Sequence, residues 1–319
     1  MKSFFRNDLG KIRFEGYEWL IMRIGFALIA LHTAYGLKGE IIGYDRVLKE
    51  PKSLATWFNI DFMGNDVLVN QLQWVFVVLM VLYVLQVIPS LAVLGMLSIY
   101  SLAGAFYASN GSKPHHLQLV SYMMIGQVFA SIVQICRQPS WKSFLMPAGL
   151  PREAIDGFRK PSVYRDRCVF YGMQMLAAAY VITGLSKLVR SEWTWIQNVP
   201  NLVVQIEKTL KMDYYNTLKD SDDRAARGMI ELVSDHPYLG MIIFGGALLT
   251  ELFAFLALFN RALLLFFGFA IIALHKSIGA VMDLHFFSHE VIALLFFINL
   301  PFWTVAICKK FKKQPIKLA

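Results

Sequence analysis

Cysteine is scarce in this sequence of 319 residues and never occurs as a closely spaced pair. The three cysteines are Cys136, Cys168 and Cys308, and none belongs to a Cys-x-x-Cys motif. A thiol–disulfide relay needs two neighbouring cysteines that face an oxidising compartment. We therefore do not expect disulfide exchange among the functions of this chain.

The sequence also lacks nucleic-acid-binding motifs and a cleavable signal peptide. Its net charge of +9 comes from Lys and Arg, which cluster beside apolar runs as in the cytoplasmic loops of membrane proteins. The first 16 residues are polar and basic, and the apolar run after them is too long for a signal-peptide core. We expect no nucleic-acid partner, and we expect the first apolar run to act as the insertion signal.

Long hydrophobic runs are what the sequence does contain, because 56% of its residues are hydrophobic. A membrane-spanning helix needs about 20 mostly apolar residues. Eight candidate runs lie at 17–37, 72–88, 90–107, 117–137, 164–187, 238–259, 262–282 and 285–307. The sequence therefore predicts an all-α, multi-pass protein of the bilayer, with residues 1–319 forming a single transmembrane domain.

Lys and Arg in the flanks of these runs predict the orientation. Basic residues are concentrated before residue 17, in the loop 138–163 and after residue 307. With eight spans, all three segments fall on the cytoplasmic side of the cell (inner) membrane. Two longer loops, 38–71 and 188–237, then face outwards, and we interpret them as short amphipathic helices at the membrane surface or as solvated loops.

Ionisable residues interrupt the apolar pattern most clearly in AIIALHKSIGAVMDLHFFSHEV, residues 270–291. A charged side chain at the bilayer centre costs about 3 kcal/mol. With the predicted orientation, however, the polar residues of at least five helices gather in the outer leaflet. They are His32, His115, His116, Lys187, His275, Lys276, His285, His289 and Glu290, whereas Glu251 and Arg23 lie deeper or further in. This pattern indicates a polar cavity on the extracytoplasmic side.

The ionisable residues in these apolar runs also have explanations that involve no function. Lys187 and Lys276 reach the interface by snorkelling, and the histidines nearest the surface are explained by contact with water. His32, His275 and Glu251 lie deeper, which favours a function or a buried hydrogen-bond network that fixes helix register. His285 and His289 share one helical face, but no carboxylate or cysteine completes a familiar zinc motif. We therefore predict no metal site.

Several segments resemble the transmembrane part of the vitamin K-dependent gamma-glutamyl carboxylase and its bacterial relatives. These relatives form the horizontally transferred transmembrane domain (HTTM) family. The segments are MRIGFALIALHTAY, NGSKPHHLQLVSYMMIG, YVITGLSKLVRSEW and LLTELFAFLALFNRALLLFFGFAIIALHKSI. They occur in the family's order and cover nearly the whole chain.

The resemblance implies a quinone as cofactor or substrate and a reaction chamber on the extracytoplasmic side. It places His275 at the family's recurring histidine and makes Lys113 the candidate for the catalytic base. His275 and His32 would be acid–base or orienting groups. The candidate substrate-binding residues are His116, Lys187, Glu251, His285 and His289. In the family the catalytic lysine precedes Trp and an Asn-Asn-His run, whereas here Lys113 stands closer to His116, and the Trp and both Asn are missing.

Two functions remain open from the sequence. The first is an enzyme that acts at the outer face on a quinone-like molecule or a secreted peptide. No segment resembles the carboxylase's large lumenal domain, so glutamate carboxylation is not expected. The second is a non-enzymatic membrane factor for maturation or assembly of a secreted peptide or a membrane protein partner, similar to the sporulation-delaying protein B type of bacterial relative.

Overall fold

The computed structural model of the chain describes residues 14–42, 50–111, 115–140, 145, 163–218 and 224–312. Every regular element in these residues is helical, which confirms the all-α prediction for them. The α-helices are α1 (Gly16–Ile42), α2 (Asp66–Val84), α3 (Pro89–Ser109), α4 (His115–Arg137), α5 (Val163–Arg190), α6 (Leu202–Thr217), α7 (Arg224–Asp235), α8 (Pro237–Leu252), α9 (Arg261–Met282), α10 (Phe287–Ile292) and α11 (Leu300–Lys312).

Five of these helices, α2, α3, α4, α5 and α9, are long and apolar enough to cross a membrane. Two bent pairs qualify when each pair is taken as one span. The pair α7–α8 is bent by 118°, and the pair Phe287–Ile298 with Leu300–Cys308 is bent by 46°. The described residues thus contain five to seven candidate spans. The expected total of eight and the cytoplasmic position of both termini stay predictions.

Side-chain caps fix where two of the spans begin. The side chain of Asn65 accepts hydrogen bonds from the backbone N–H groups of Val67 and Leu68 at the start of α2. Asn260 does the same for Ala262 and Leu263 at the start of α9. The first turn of a helix has backbone donors without helical partners, so a capping oxygen stabilises it. α9 therefore begins at the residue after its cap.

Helices α4 and α5 approach each other closely where Gly126 faces Gly172. A Cβ atom added at Gly126 would lie 2.6 Å from the backbone nitrogen of Gly172 and 2.6 Å from the carbonyl carbon of Tyr171. Because both neighbours are backbone atoms, only glycine fits at this crossing. The close contact holds α5, which carries part of the polar cluster described below, firmly against α4.

A buried ion pair joins α1 to α9 at the end opposite that cluster. The guanidinium of Arg261 donates to both carboxylate oxygens of Glu18, at 3.1 and 3.4 Å. The side-chain amide of Asn299 donates to Glu18 Oε2 at 2.6 Å. Glu18 is 1% exposed, and the ring of Phe302 lies 3.8 Å below the Arg261 guanidinium carbon. We call Glu18, Arg261 and Asn299 the inner clasp.

The last candidate span departs from α-helical geometry next to Asn299, the residue that bonds to Glu18 in the inner clasp. A π-helix occupies Ala293–Ile298 between α10 and α11. Asn299 follows it with a φ of 52°, in the left-handed region. The predicted span 285–307 is therefore a helix with a bend rather than one straight helix.

The predicted loop 188–237 contains helices of its own, as its amphipathic pattern predicts. These helices are α6 and α7. Val199 and Ile206 are buried, and a Cβ atom added at Gly240 of α8 would contact Val199 and Val233. These loop helices consequently pack against the start of α8. Their position at the membrane surface stays a prediction.

Candidate functional site

His275 is the centre of the polar cluster. It lies on α9 with 6% of its surface exposed, on the face that packs against α5. Its Nε2 forms a 2.9 Å hydrogen bond with the hydroxyl of Tyr180 on α5. Tyr180 is also buried. This bond joins an imidazole and a phenol inside the helical bundle.

Two rings from the segment around the start of α10 pack on the His275 imidazole. The ring of Phe286 lies 4.8 Å from it, centroid to centroid, and the ring of His289 lies 5.3 Å from it. Phe286 and His289 are 5.3 Å apart in turn. The three rings form a triangle, in which His289 is as buried as His275.

The N-terminal turn of α4 completes the cluster. The hydroxyl of Ser288 donates to the backbone carbonyl of His116 at 3.1 Å, which ties α10 to α4. The same hydroxyl lies 3.3 Å from Nδ1 of His289. The ring of His115 lies 6.4 Å from Phe286. Three helices, α4, α9 and α10, therefore bring histidines to one place, and α5 adds Tyr180. We call Tyr180, His275, Phe286 and His289 the imidazole–phenol cluster.

An ion pair lies next along α5. Lys187 follows Tyr180 by seven residues, which is two helical turns and about 10 Å along the same face. Its ammonium group donates to both oxygens of Glu251, at 2.7 and 2.6 Å. The ammonium nitrogen also lies 5.5 Å from the centre of the Trp195 ring. Glu251 is 4% exposed, so its charge depends on Lys187 for compensation.

The structure brings only some of the predicted site residues together. The rings of His275 and His289 are in contact, the backbone carbonyl of His116 is bonded to Ser288 beside them, and Lys187 binds Glu251. His285 instead is exposed and forms a 3.1 Å pair with Asp283.

The remaining predicted residues lie apart from the cluster or beyond the described chain. His32 is exposed on α1, and its ring contacts only the edge of this region, through Phe287 at 5.3 Å. Lys113 lies outside the described residues. The structure therefore does not place the candidate base.

Nδ1 of His275 is the one ring nitrogen in the imidazole–phenol cluster that is fully buried yet has no hydrogen-bond partner among the described residues. Buried polar atoms are nearly always paired, and each unpaired one costs free energy. The His275 ring that carries this atom contacts the rings of Tyr180, Phe286 and His289. A polar oxygen of a ligand is a group that would pair with this nitrogen.

The imidazole–phenol cluster does not have the ligand set of a metal site. In the described part of the chain, no three His, Cys, Asp or Glu side chains are grouped so that they could hold a metal. The one Nε2 that has a clear partner is already bonded to a phenol.

Two members of the cluster, Tyr180 and Phe286, were not among the residues selected from the sequence. In an apolar helix, tyrosine and phenylalanine have the same pattern as ordinary core residues. The available signal for Tyr180 was its spacing of seven from Lys187, which places both side chains on one face of a helix. No such signal exists for Phe286, because its contact with His275 depends on the turn between α9 and α10.

Comparisons with protein-family models, with curated proteins and with solved structures gave no match to this chain.

Proposed function

We propose that this chain is an integral membrane protein that binds a quinone-like, lipid-soluble ligand at the imidazole–phenol cluster. The observation that carries the proposal is the buried and unpartnered Nδ1 of His275, enclosed by the rings of Phe286 and His289. A quinone offers a flat ring for these neighbours and an oxygen for the nitrogen. Binding sites for small ligands are usually lined by apolar side chains with a few placed polar groups, which are the residue types of this cluster.

The ligand class follows from the polar groups of the cluster. A neutral imidazole nitrogen and a phenol hydroxyl bind oxygen groups by hydrogen bonds, whereas the cluster has no free cation for a phosphate or a carboxylate among its described members. Lys187 is engaged by Glu251. A neutral ring carrying oxygen, soluble in the bilayer, is the class that these groups fit best.

The location and the family are parts of the same proposal. The charge pattern supports an extracytoplasmic position for the cluster in the cell membrane, and the sequence motifs support membership of the HTTM family. The ligand class implied by that resemblance agrees with the one inferred from the cluster, although the two arguments use different observations. His275 is then the residue that binds the ligand oxygen.

The test is mass spectrometry of an organic extract from the gently purified full chain. We expect a quinone at close to one per protein, and we expect its loss from His275→Ala. His236→Ala is the matched control, because His236 is an exposed histidine at the start of α8 and should leave the quinone in place. An extract without quinone from well-folded wild-type protein would refute the proposal.

One observation favours the second function, a membrane factor for a secreted peptide or a membrane protein partner. Trp193, Tyr215 and Leu218 in the outer loop are 67%, 73% and 77% exposed, and exposed apolar side chains near an interface suit a partner or the lipid surface. The same extraction distinguishes the two functions. A preparation that retains a peptide and no quinone supports the maturation factor.

A further inference from the structure

The hydrogen bond between Tyr180 and His275 can run in either direction. Its two atoms are 2.9 Å apart and both residues are buried. A hydroxyl both donates and accepts, whereas a neutral imidazole has one donor nitrogen and one acceptor nitrogen. If Tyr180 donates, Nε2 is the acceptor and the hydrogen is on Nδ1. If Tyr180 accepts, the hydrogen is on Nε2 and Nδ1 is an acceptor.

The direction of this bond therefore decides what Nδ1 of His275 offers to a ligand. The carbonyl of a quinone accepts hydrogen bonds and pairs with a protonated Nδ1. The hydroxyl of a hydroquinone donates and pairs with an unprotonated Nδ1. One rotation of the Tyr180 hydroxyl, together with the matching imidazole tautomer, converts the first arrangement into the second.

We propose that Tyr180 is a positioning residue that allows His275 to bind both the oxidised and the reduced form of one quinone ligand. This inference rests on the proposed function, and it concerns equilibrium binding without an electron-transfer step. Tyr180 acts through His275, by leaving both tautomers of the imidazole satisfied at Nε2.

The other members of the cluster do not supply this property. Phe286 has no hydrogen-bonding group. His289 pairs through its Nδ1 with the hydroxyl of Ser288, at 3.3 Å. Within the described residues, the Tyr180 hydroxyl is therefore the group that bonds to Nε2 of His275.

Removing the hydroxyl should make the site selective. In Tyr180→Phe, Nε2 has no partner in either tautomer. A buried N–H without an acceptor is rarer in proteins than an acceptor without a donor. The imidazole should therefore keep its hydrogen on Nδ1, which suits the quinone and leaves the hydroquinone O–H without an acceptor.

The experiment measures dissociation constants of the detergent-solubilised full chain for 2-methyl-1,4-naphthoquinone and for its hydroquinone, without oxygen. We expect Tyr180→Phe to weaken hydroquinone binding about tenfold relative to quinone binding, the size of one lost hydrogen bond. Tyr164→Phe is the matched control. Tyr164 is a buried tyrosine of the same helix, but its hydroxyl lies 3.1 Å from Ser131 in another part of the bundle, so the ratio should stay unchanged.

The outcomes separate this inference from the proposed function. If the wild-type chain binds neither form, both fail. If it binds both forms and Tyr180→Phe weakens them equally, the proposed function stands and Tyr180 only packs. A change of the ratio in Tyr180→Phe alone supports the inference.

A second measurement uses the wild-type chain and does not depend on how a variant folds. Nitrogen chemical shifts of ¹⁵N-labelled histidine distinguish a protonated ring nitrogen from an unprotonated one. We expect the hydrogen of His275 on Nδ1 with the quinone and on Nε2 with the hydroquinone. The same tautomer with both ligands would overturn the inference.

Discussion

Two lysine–glutamate pairs of nearly equal length lie at different depths in this molecule. Lys187 and Glu251 are 2.6 Å apart, with side chains 29% and 6% exposed. Lys276 and Glu290 are 2.7 Å apart, with side chains 69% and 14% exposed. Water compensates an exposed charge when its partner is removed, but a buried charge has no such substitute. The two pairs should therefore respond differently to the same substitution.

We expect Lys187→Met to lower the free energy of unfolding by about 3 kcal/mol, because it leaves the Glu251 carboxylate buried without its cation. Lys276→Met, the matched control, should lower it by at most about 1 kcal/mol. Unfolding of the purified chain in mixed detergent micelles measures both. Adding Glu251→Gln to Lys187→Met should recover much of the loss, and equal losses for the two lysine variants would contradict the argument.

For individual residues, the sequence identified the ionisable side chains within apolar helices but not the side chains that they contact. His275, His289, Lys187 and Glu251 were recognisable because ionisable side chains in apolar helices are costly. Which of them meet is a tertiary property. His32 has the same sequence signal as His275, yet it lies on the exposed side of α1, and an apolar helix without a clear polar face gives no indication of which side is buried.

Among the helices, the bounds of the last two predicted spans agree closely with the structure, but the bend in the last one was not predicted. The predicted span 262–282 corresponds to α9, whose Asn260 cap is visible in the sequence. The bend at Asn299 was missed, although Pro301 gives a signal for it, since proline is tolerated in the first turn of a helix but breaks or kinks a helix interior. The π-helix at Ala293–Ile298 has no sequence signature comparable to a cap or a proline.

The crossing of α4 and α5 gives a prediction about how tightly two helices pack. We expect Gly126→Ala to lower the free energy of unfolding by about 1–3 kcal/mol, because the added methyl group meets backbone that cannot rotate away. Gly104→Ala is the matched control on α3. A Cβ atom there meets nothing within 4 Å, so the higher helix propensity of alanine should leave stability unchanged or slightly raised.

Thermal unfolding of the two glycine variants in the same detergent provides the comparison. The Gly126 variant should also weaken retention of the proposed ligand, since α5 carries Tyr180. Equal melting temperatures for Gly126→Ala and Gly104→Ala would show that the two helices separate at little cost.

In the whole molecule, α9 contributes to two polar clusters that lie far apart along its length. Arg261 at its start belongs to the inner clasp, and His275 lies 14 residues later, about 21 Å along the axis. The inner clasp is an ion pair closed by hydrogen bonds. The imidazole–phenol cluster is uncharged when its imidazoles are neutral, and it retains an unpartnered nitrogen. The inner clasp ties helices together, and the imidazole–phenol cluster is the site that we propose binds a ligand.

Helix α4 relates this asymmetry to the two sides of the membrane. It begins at His115 beside the imidazole–phenol cluster and ends at Arg137. Cys136 lies 20 residues after His116, about 30 Å away along the helix, and is exposed. If the cluster lies on the extracytoplasmic side, as the charge pattern predicts, Cys136 must lie on the cytoplasmic side.

Labelling with a membrane-impermeant maleimide tests this orientation. In a Cys308→Ser background, Cys136 is the exposed thiol and Cys168 is buried. We expect labelling of Cys136 only after the cells are permeabilised. Thr194→Cys, introduced with Cys136→Ser and Cys308→Ser, places a thiol four residues after the end of α5 and should be labelled in intact cells. The reverse pattern would invert the chain and place the ligand site on the cytoplasmic side, because α4 connects Cys136 and the cluster as one continuous helix.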